Sequence, residues 1–286
     1  MTEDVRASLL HLDSGADGSD GSVGRRLTAL FARTWRARHD AAGLQYTYRY
    51  RDLAADPVPP LDSAYCALGR RVERHGFCPP DGVAALIGDP AERRAWALTR
   101  PLIDEVLAAD TVLIGAPMYN YTVSALLKAW IDRVSFPGAF TAPGTRAPLL
   151  AATRVVVVAT RGGSYRPGTP RAAYDFQTPY LRAYFGKQGV VDANVRVISA
   201  ESTLADLVPH LAGHRAQAAA SLAAARAAVV ACATDDVDGD ADRTRTGAGT
   251  GAGEASPGGG APLTSAADAD GRNGRPRTPA RPAGRG

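Results

Sequence analysis

Lysine is almost missing from this chain. Lys128 and Lys187 are the only two in 286 residues, although Lys and Arg together number 33. The net charge of +4 therefore rests on arginines scattered along the sequence. No dense Lys/Arg block with interleaved aromatics occurs, which argues against nucleic-acid recognition. Cysteine is scarce as well: Cys66, Cys78 and Cys232 form no CxxC pair and no zinc-type cluster, so no metal site is expected. An odd, dispersed set of thiols suits a reducing compartment. No apolar run approaches the ~20 residues that span a bilayer. The start, "MTEDVRASLLHLDSG", puts acidic residues first, unlike a signal peptide. Together these absences lead to the expectation of a soluble cytoplasmic protein that meets neither nucleic acid nor membrane. Two motifs are missing too. No Gly-Lys-Ser/Thr follows a glycine loop and no GxGxxG opens a helix, which argues against a P-loop NTPase and weakens a dinucleotide-binding Rossmann reading.

What is present is ordinary globular material, with 45% hydrophobic and 22% charged residues. It stops near Thr234. From there to Gly286 there is no Phe, Trp or Tyr, and Val237 and Leu263 are the only large aliphatics. A Gly/Pro/Ala/Asp/Arg segment of this kind cannot bury enough apolar surface to offset chain entropy. The expected organisation is one domain over 1–233 and a disordered tail over 234–286.

Within 1–233 strand and helix patterns alternate. Strands are expected at Val5–Leu12, Gln45–Tyr50, Thr111–Gly115, Arg154–Thr160 and Asn194–Ser199. Helices are expected at Gly24–Asp40, Ala91–Ala109, Val123–Val134 and Leu211–Cys232. The third and fourth strands are apolar on both faces, as in a parallel sheet covered by helices on each side. Five such strands point to a flavodoxin-like doubly wound α/β sheet of order 2-1-3-4-5, with a Rossmann half as the competing arrangement. Pro57–Pro90, rich in proline and holding a short helix over Ser63–His75, reads as a surface insertion, either a lid or padding.

In such a sheet ligands bind beyond the carboxyl ends of the strands. Three loops there carry chemistry. "DSGADGSDGSVGRRL", Asp13–Leu27, is small, hydroxylated and opens a helix, a setting for one phosphate. "MYNY", Met118–Tyr121, offers flat polarisable surface plus one amide. "TRGGSY", Thr160–Tyr165, has two glycines that let backbone amides approach a ligand. One phosphate site and two surfaces for a ring suit a mononucleotide with a planar head. FMN fits better than ATP, because no magnesium ligands or catalytic lysine accompany the loops.

Four stretches resemble the FMN-dependent azoreductases, which are flavodoxin-like NAD(P)H:quinone oxidoreductases. They are "APMYNYTVSALLKAWIDRV", "ATRGGSY", "DFQTPYLRAYFGKQGV" and "RYRDLAADPVPPLD". The resemblance covers roughly Val5 to Cys232. It implies FMN as cofactor, NADH or NADPH as donor, and a homodimer with sites at its interface. It implies ping-pong two-electron hydride transfer to a quinone, an azo compound or a related aromatic acceptor. Carried over by position, the phosphate would meet Ser14, Ser22, Val23 and Gly24, the ring Met118, Tyr119, Asn120 and Tyr121, and the pyrimidine side Thr160, Arg161, Gly162 and Gly163. Tyr121 and Tyr165 are the candidate proton donors. Phe136, Phe140 and Tyr184 read as core or pocket wall, His11 as structural, and His39, His75, His210 and His214 as surface residues. The family's Ser-x-Ser is here Ser22-Val23-Gly24, one hydroxyl short, and Asp13, Asp17 and Asp20 crowd the loop. Arg25 and Arg26 would offset those carboxylates by turning inward. Two alternatives keep the flavin: reduction of a biosynthetic intermediate, or a redox module without turnover. A flavin-free scaffold is a third.

Overall fold

The computed structural model describes residues 7–19 and 21–247, with side chains as far as Asp235. Five parallel strands form one sheet: β1 (Ala7–Asp13), β2 (Tyr46–Asp52), β3 (Thr111–Pro117), β4 (Arg154–Thr160) and β5 (Val195–Ala200), in the order β2-β1-β3-β4-β5. The helices are α1 (Val23–Ala42), α2 (Ser63–His75), α3 (Pro90–Leu107), α4 (Ala125–Val134), α5 (Gln177–Lys187) and α6 (Arg215–Gly247). This is the expected flavodoxin-like order. The chain runs outward from β1 to β2 and then returns past β1 to β3. The loops after β1 and β3 therefore part, and a crevice opens between them at the carboxyl edge.

The two-residue period of each strand divides the core in two. Leu10, Leu12, Val112, Ile114, Val155 and Val157 face α2, α3, α4 and α5. Leu9, Leu113, Val156, Val158 and Ile198 face α1 and α6. This explains why β3 and β4 read as continuous apolar runs. Edge strand β2 is more exposed, and its Arg49 and Arg51 both pair with Glu105 of α3, at 3.0 and 2.7 Å. Charges on an edge discourage further strand addition.

Several features differ from the sequence expectation. Pro57–Pro90 keeps an exposed outer side but is anchored in the core rather than laid over it. Asp62 caps α2 by accepting from the Tyr65 amide, and Tyr65, Leu68, Val72, Cys78 and Val83 sink into the larger core. Helix α5 is an added element, with Gln177, Leu181 and Phe185 buried at four-residue spacing. Its aromatic-rich sequence, with Pro179 in the first turn, hides that period. Helix α6 continues past Cys232 to Gly247, so the first part of the tail expected over 234–286 is helical, and the part from 248 onward lies outside the described residues. Pro209–Asp235 is long and apolar enough to cross a bilayer by length and composition alone. Alanine supplies that character, and Ser221, Ala225, Val229, Cys232 and Ala233 of this stretch are buried. The three cysteines are free thiols. His39 is also corrected: it is fully buried, its ring 3.9 Å from that of Trp35, not a surface residue.

Arg133 of α4 fastens the proline segment. It is fully buried and donates to the carbonyl oxygens of Pro59 and Pro60 at 3.0–3.2 Å and to Thr99 Oγ1 at 3.3 Å, with its guanidinium over the Tyr65 ring. Two proline carbonyls without a donor are costly to bury. Arg133→Met is expected to lower unfolding free energy by about 2–4 kcal/mol in urea titration. An unchanged midpoint would mean that water satisfies those carbonyls instead.

Candidate functional site

Three loops at the carboxyl edge meet the crevice: loop one after β1, loop three after β3 and loop four after β4. Asp13 ends β1 and is buried. It accepts from the Thr28 hydroxyl at 2.9 Å and the Tyr50 hydroxyl at 3.1 Å, and lies 3.5 Å from His11 Nε2. Burial opposes its ionisation, but His11, Thr28 and Tyr50 outweigh it and hold the carboxyl below the usual range. Its charge is thus partnered, although Asp13 still lines the cleft described below. The next residue, Ser14, is fully buried, and both its amide and its hydroxyl donate to the Gly115 carbonyl, at 3.0 and 2.7 Å. Ser14 thereby joins loop one to β3.

Arg25 lines the same cleft, but its guanidinium is committed to other partners. Its guanidinium forms a bidentate pair with Asp52 at 2.7 and 2.8 Å and donates to the carbonyls of Asp17 and Gly15 at 3.0 and 3.3 Å. It clamps the loop to the end of β2. Arg26 faces a groove between α1 and α6. Asp17 is fixed by the Ser19 amide at 2.9 Å, and Asp20 is outside the described residues.

What remains at the helix start is a donor set. Ser22 caps α1 by accepting from the Arg25 amide at 3.5 Å, which leaves its own hydroxyl hydrogen available. Val23 and Gly24 occupy the first turn, where amides have no acceptor within the helix. A Cβ built on Gly24 would sit 3.4 Å from Thr160 Oγ1 and 3.9 Å from Ser22 Oγ. Ser22, Gly24 and Thr160 thus converge, and Asp13, Asp17, Arg25, Pro117 and Tyr119 line the same cleft. The Tyr119 hydroxyl accepts from the Ala16 amide at 3.2 Å, which ties loop three to loop one. Two free amides, two hydroxyls and a helix dipole are the chemistry that a phosphate requires.

Loop three is a tight reversal. Tyr119 and Thr122 exchange backbone hydrogen bonds at 3.0 and 3.1 Å. The two residues between them, Asn120 and Tyr121, both have positive φ, 47° and 73°. This is the I′-like hairpin turn, which favours Asn-Gly. Asn suits it; Tyr is a strained choice. The strain presents an aromatic ring at the edge. Tyr121 is 47% exposed and neighbours Tyr174 at 5.4 Å and Tyr165 at 6.4 Å between ring centroids. The two candidate proton donors are therefore adjacent. Met118 stays half-buried, its amide donating to the Thr160 carbonyl at 2.8 Å.

Loop four is held from behind. Arg161 is 3% exposed and reaches Thr178 at 2.6 Å, Asp175 at 3.0 Å and Glu201 at 3.3 Å. Its side chain braces the loop internally. Glu201, 2% exposed, accepts from the Ser164 hydroxyl at 2.7 Å, the Tyr165 amide at 3.1 Å and Arg166 at 3.3 Å. Gly162 and Gly163 lie apart from the small cleft, along a larger cavity. Glu201, Asp52, and Gln177, which donates to the Ala116 carbonyl at 3.1 Å, are supporting residues that the sequence reading does not single out. A lone acid directly after a buried strand is the only signal that Glu201 gives. Phe136 and Phe140 are core residues, and Tyr184 packs against the same core.

The comparisons with known proteins agree with this geometry. Residues 7–226 match the family model described as flavodoxin-like fold. An FMN-dependent NADH:quinone oxidoreductase of Nocardia farcinica is 44% identical over 216 residues, covering 76% of this chain and 93% of that protein. One of Kineococcus radiotolerans is 42% identical over 217 residues, with the same coverage. Among solved structures, an azoreductase from Bacillus anthracis superposes with a TM-score of 0.63 at 18% identity, covering 80% of this chain and 99% of that one. An FMN-dependent NADH-azoreductase of the same species, in complex with FMN, gives 0.62 at 17%, covering 80% and 98%.

The turn generates a prediction. Tyr121→Gly relieves a positive-φ strain at a half-exposed side chain, so it is expected to stabilise the cofactor-free chain by about 1 kcal/mol. Thermal unfolding measures this. A loss of stability would mean that ring contacts with Tyr165 and Tyr174 outweigh the backbone strain.

Proposed function

The chain belongs to the flavodoxin-like-fold family, and on that premise we propose that it is an FMN-dependent NADH:quinone oxidoreductase that also accepts azo compounds. The carrying observation is the convergence of Ser22, Gly24 and Thr160 with Pro117 and Tyr119 where strand order reverses. The α1 amides of Val23 and Gly24 and the hydroxyls of Ser22 and Thr160 hold the phosphate. Ser14 supports this loop through Gly115 and Arg161 supports loop four through Glu201. Met118, Tyr119, Asn120 and Tyr121 carry the ring, and Gly162 and Gly163 offer amides to its pyrimidine side.

Bound FMN supplies two-electron chemistry at one position, so donor and acceptor use the same face in turn. The protein's part is to bind, orient and exclude water. Tyr121 and Tyr165, whose rings are 6.4 Å apart, would be the proton donors on this edge. Their phenols sit among half-exposed aromatics, where a flat acceptor stacks and displaces solvent. Tyr119, Tyr121, Tyr174 and Phe176 leave a large aromatic patch at this edge. Such a patch calls for cover, and a second copy of the chain is the proposed cover, giving a homodimer. The free thiols suit a cytoplasmic setting.

Initial rates of NADH oxidation, measured against a soluble quinone at several fixed NADH concentrations, test this reading. Parallel double-reciprocal lines are expected, and bound flavin without turnover would leave only the redox module. Gly24→Ser restores the family's second hydroxyl where a Cβ is in ordinary contact. It is expected to tighten FMN binding about 3- to 10-fold by fluorescence titration. Weakened binding would contradict the proposed phosphate position.

A further inference from the structure

A cavity of about 330 Å³ lies between the β4–α5 and β5–α6 connections. Its size is within the ~300–1,000 Å³ range of small-molecule sites. None of the residues of loop one or of Met118–Tyr121 lines it. We propose that it binds a small aromatic carboxylate, and that its occupancy is transmitted to the Gly162–Gly163 loop.

The charge distribution points to an anion. Three arginines stand on this side of the molecule. Arg161 and Arg166 are neutralised by Asp175 and Glu201. Arg171, which lines the cavity, has no ion pair or hydrogen bond from its side chain among the described residues. Its guanidinium lies against Gly163, where an added Cβ would be 2.5 Å from Nη1. An unpaired planar fork matches a carboxylate, and no carboxylate lines the cavity to compete. His214 and Gln217, at the start of α6, add polar side chains to the cavity wall. Ser202, 5% exposed and held at φ 59°, adds a hydroxyl with no partner among the described residues. Pro170, Ala205 and Leu211 give the apolar wall on which a ring would rest.

The cavity shares its backbone with loop four. The Ser202 amide donates to the Gly163 carbonyl at 3.1 Å, and the Thr203 amide to that of Arg161 at 3.0 Å. A ligand pressed between Arg171 and Ser202 must therefore act on the two glycines proposed to meet the flavin. Carboxylate binding itself does not depend on the flavin; this coupling rests on the proposed function.

Isothermal titration of benzoate into the full FMN-free chain tests the site, with benzyl alcohol as the uncharged probe. One benzoate per chain is expected, weakened about tenfold or more by Arg171→Gln with no change in melting temperature. Absence of benzoate heat, equal binding to the variant, or equal affinity for benzyl alcohol would overturn it. FMN titration with and without saturating benzoate tests the coupling. A change of about threefold or more in FMN affinity is expected, and an unchanged value overturns the coupling. Should FMN bind in neither condition, the proposed function fails, while the benzoate heat upholds the carboxylate site.

Discussion

The carboxylate of Glu201 is the hub on which the shape of the β4 edge depends. It sits directly after β5, almost without solvent, and receives a guanidinium, a hydroxyl and a backbone amide from the loop after β4. A buried charge is costly unless it is paired and hydrogen-bonded, and here both conditions are met. The same contacts hold the Arg161–Tyr165 loop against the sheet and fix where Gly162 and Gly163 present their amides. Arg161 relays the constraint to α5 through Asp175 and Thr178. An acid placed behind a loop thus positions residues in front of it.

The β1 side is built on the same logic. Asp13 gathers Thr28, Tyr50 and His11 at the base of loop one, and Arg25 with Asp52 clamps the loop to β2. Asp13 and Asp17 do line the cleft, as the crowded loop implies, but each carboxylate has partners of its own there. The parallel sheet makes such devices necessary, because the end of each strand needs partners for backbone groups that its helix has not yet taken up. Once those groups are satisfied internally, the free donors that remain are few: the α1 amides and the hydroxyls of Ser22 and Thr160. Few and fixed donors are what a preorganised anion site consists of.

The fold is legible in the sequence because its signals are local and repeated. A run of β-branched residues such as Val155–Val158, and helix caps such as Ser22 and Ser124, mark elements within a few residues. The site is legible in its loops but not in its orientation. Sequence brings Arg161 to the edge, yet burial and pairing turn its side chain inward. Arg25 reads as a free inward cation, yet Asp52, 27 residues away, pairs with it at the cleft wall. Pro57–Pro90 reads as an insertion, because the donor that satisfies its prolines, Arg133, lies 73 residues on from Pro60. These side-chain orientations are set by pairings distant in sequence, which no local pattern encodes.

Whether this edge retains a flavin that a nicotinamide can reduce is tested most directly by a visible absorption spectrum. The protein is measured after FMN is added and the excess removed, before and after anaerobic NADH. Bands near about 375 and 450 nm that bleach on addition are predicted, since they are the bound cofactor's own signature. A colourless protein, or a bound flavin that NADH leaves oxidised, would contradict the assignment of this edge as a flavin site.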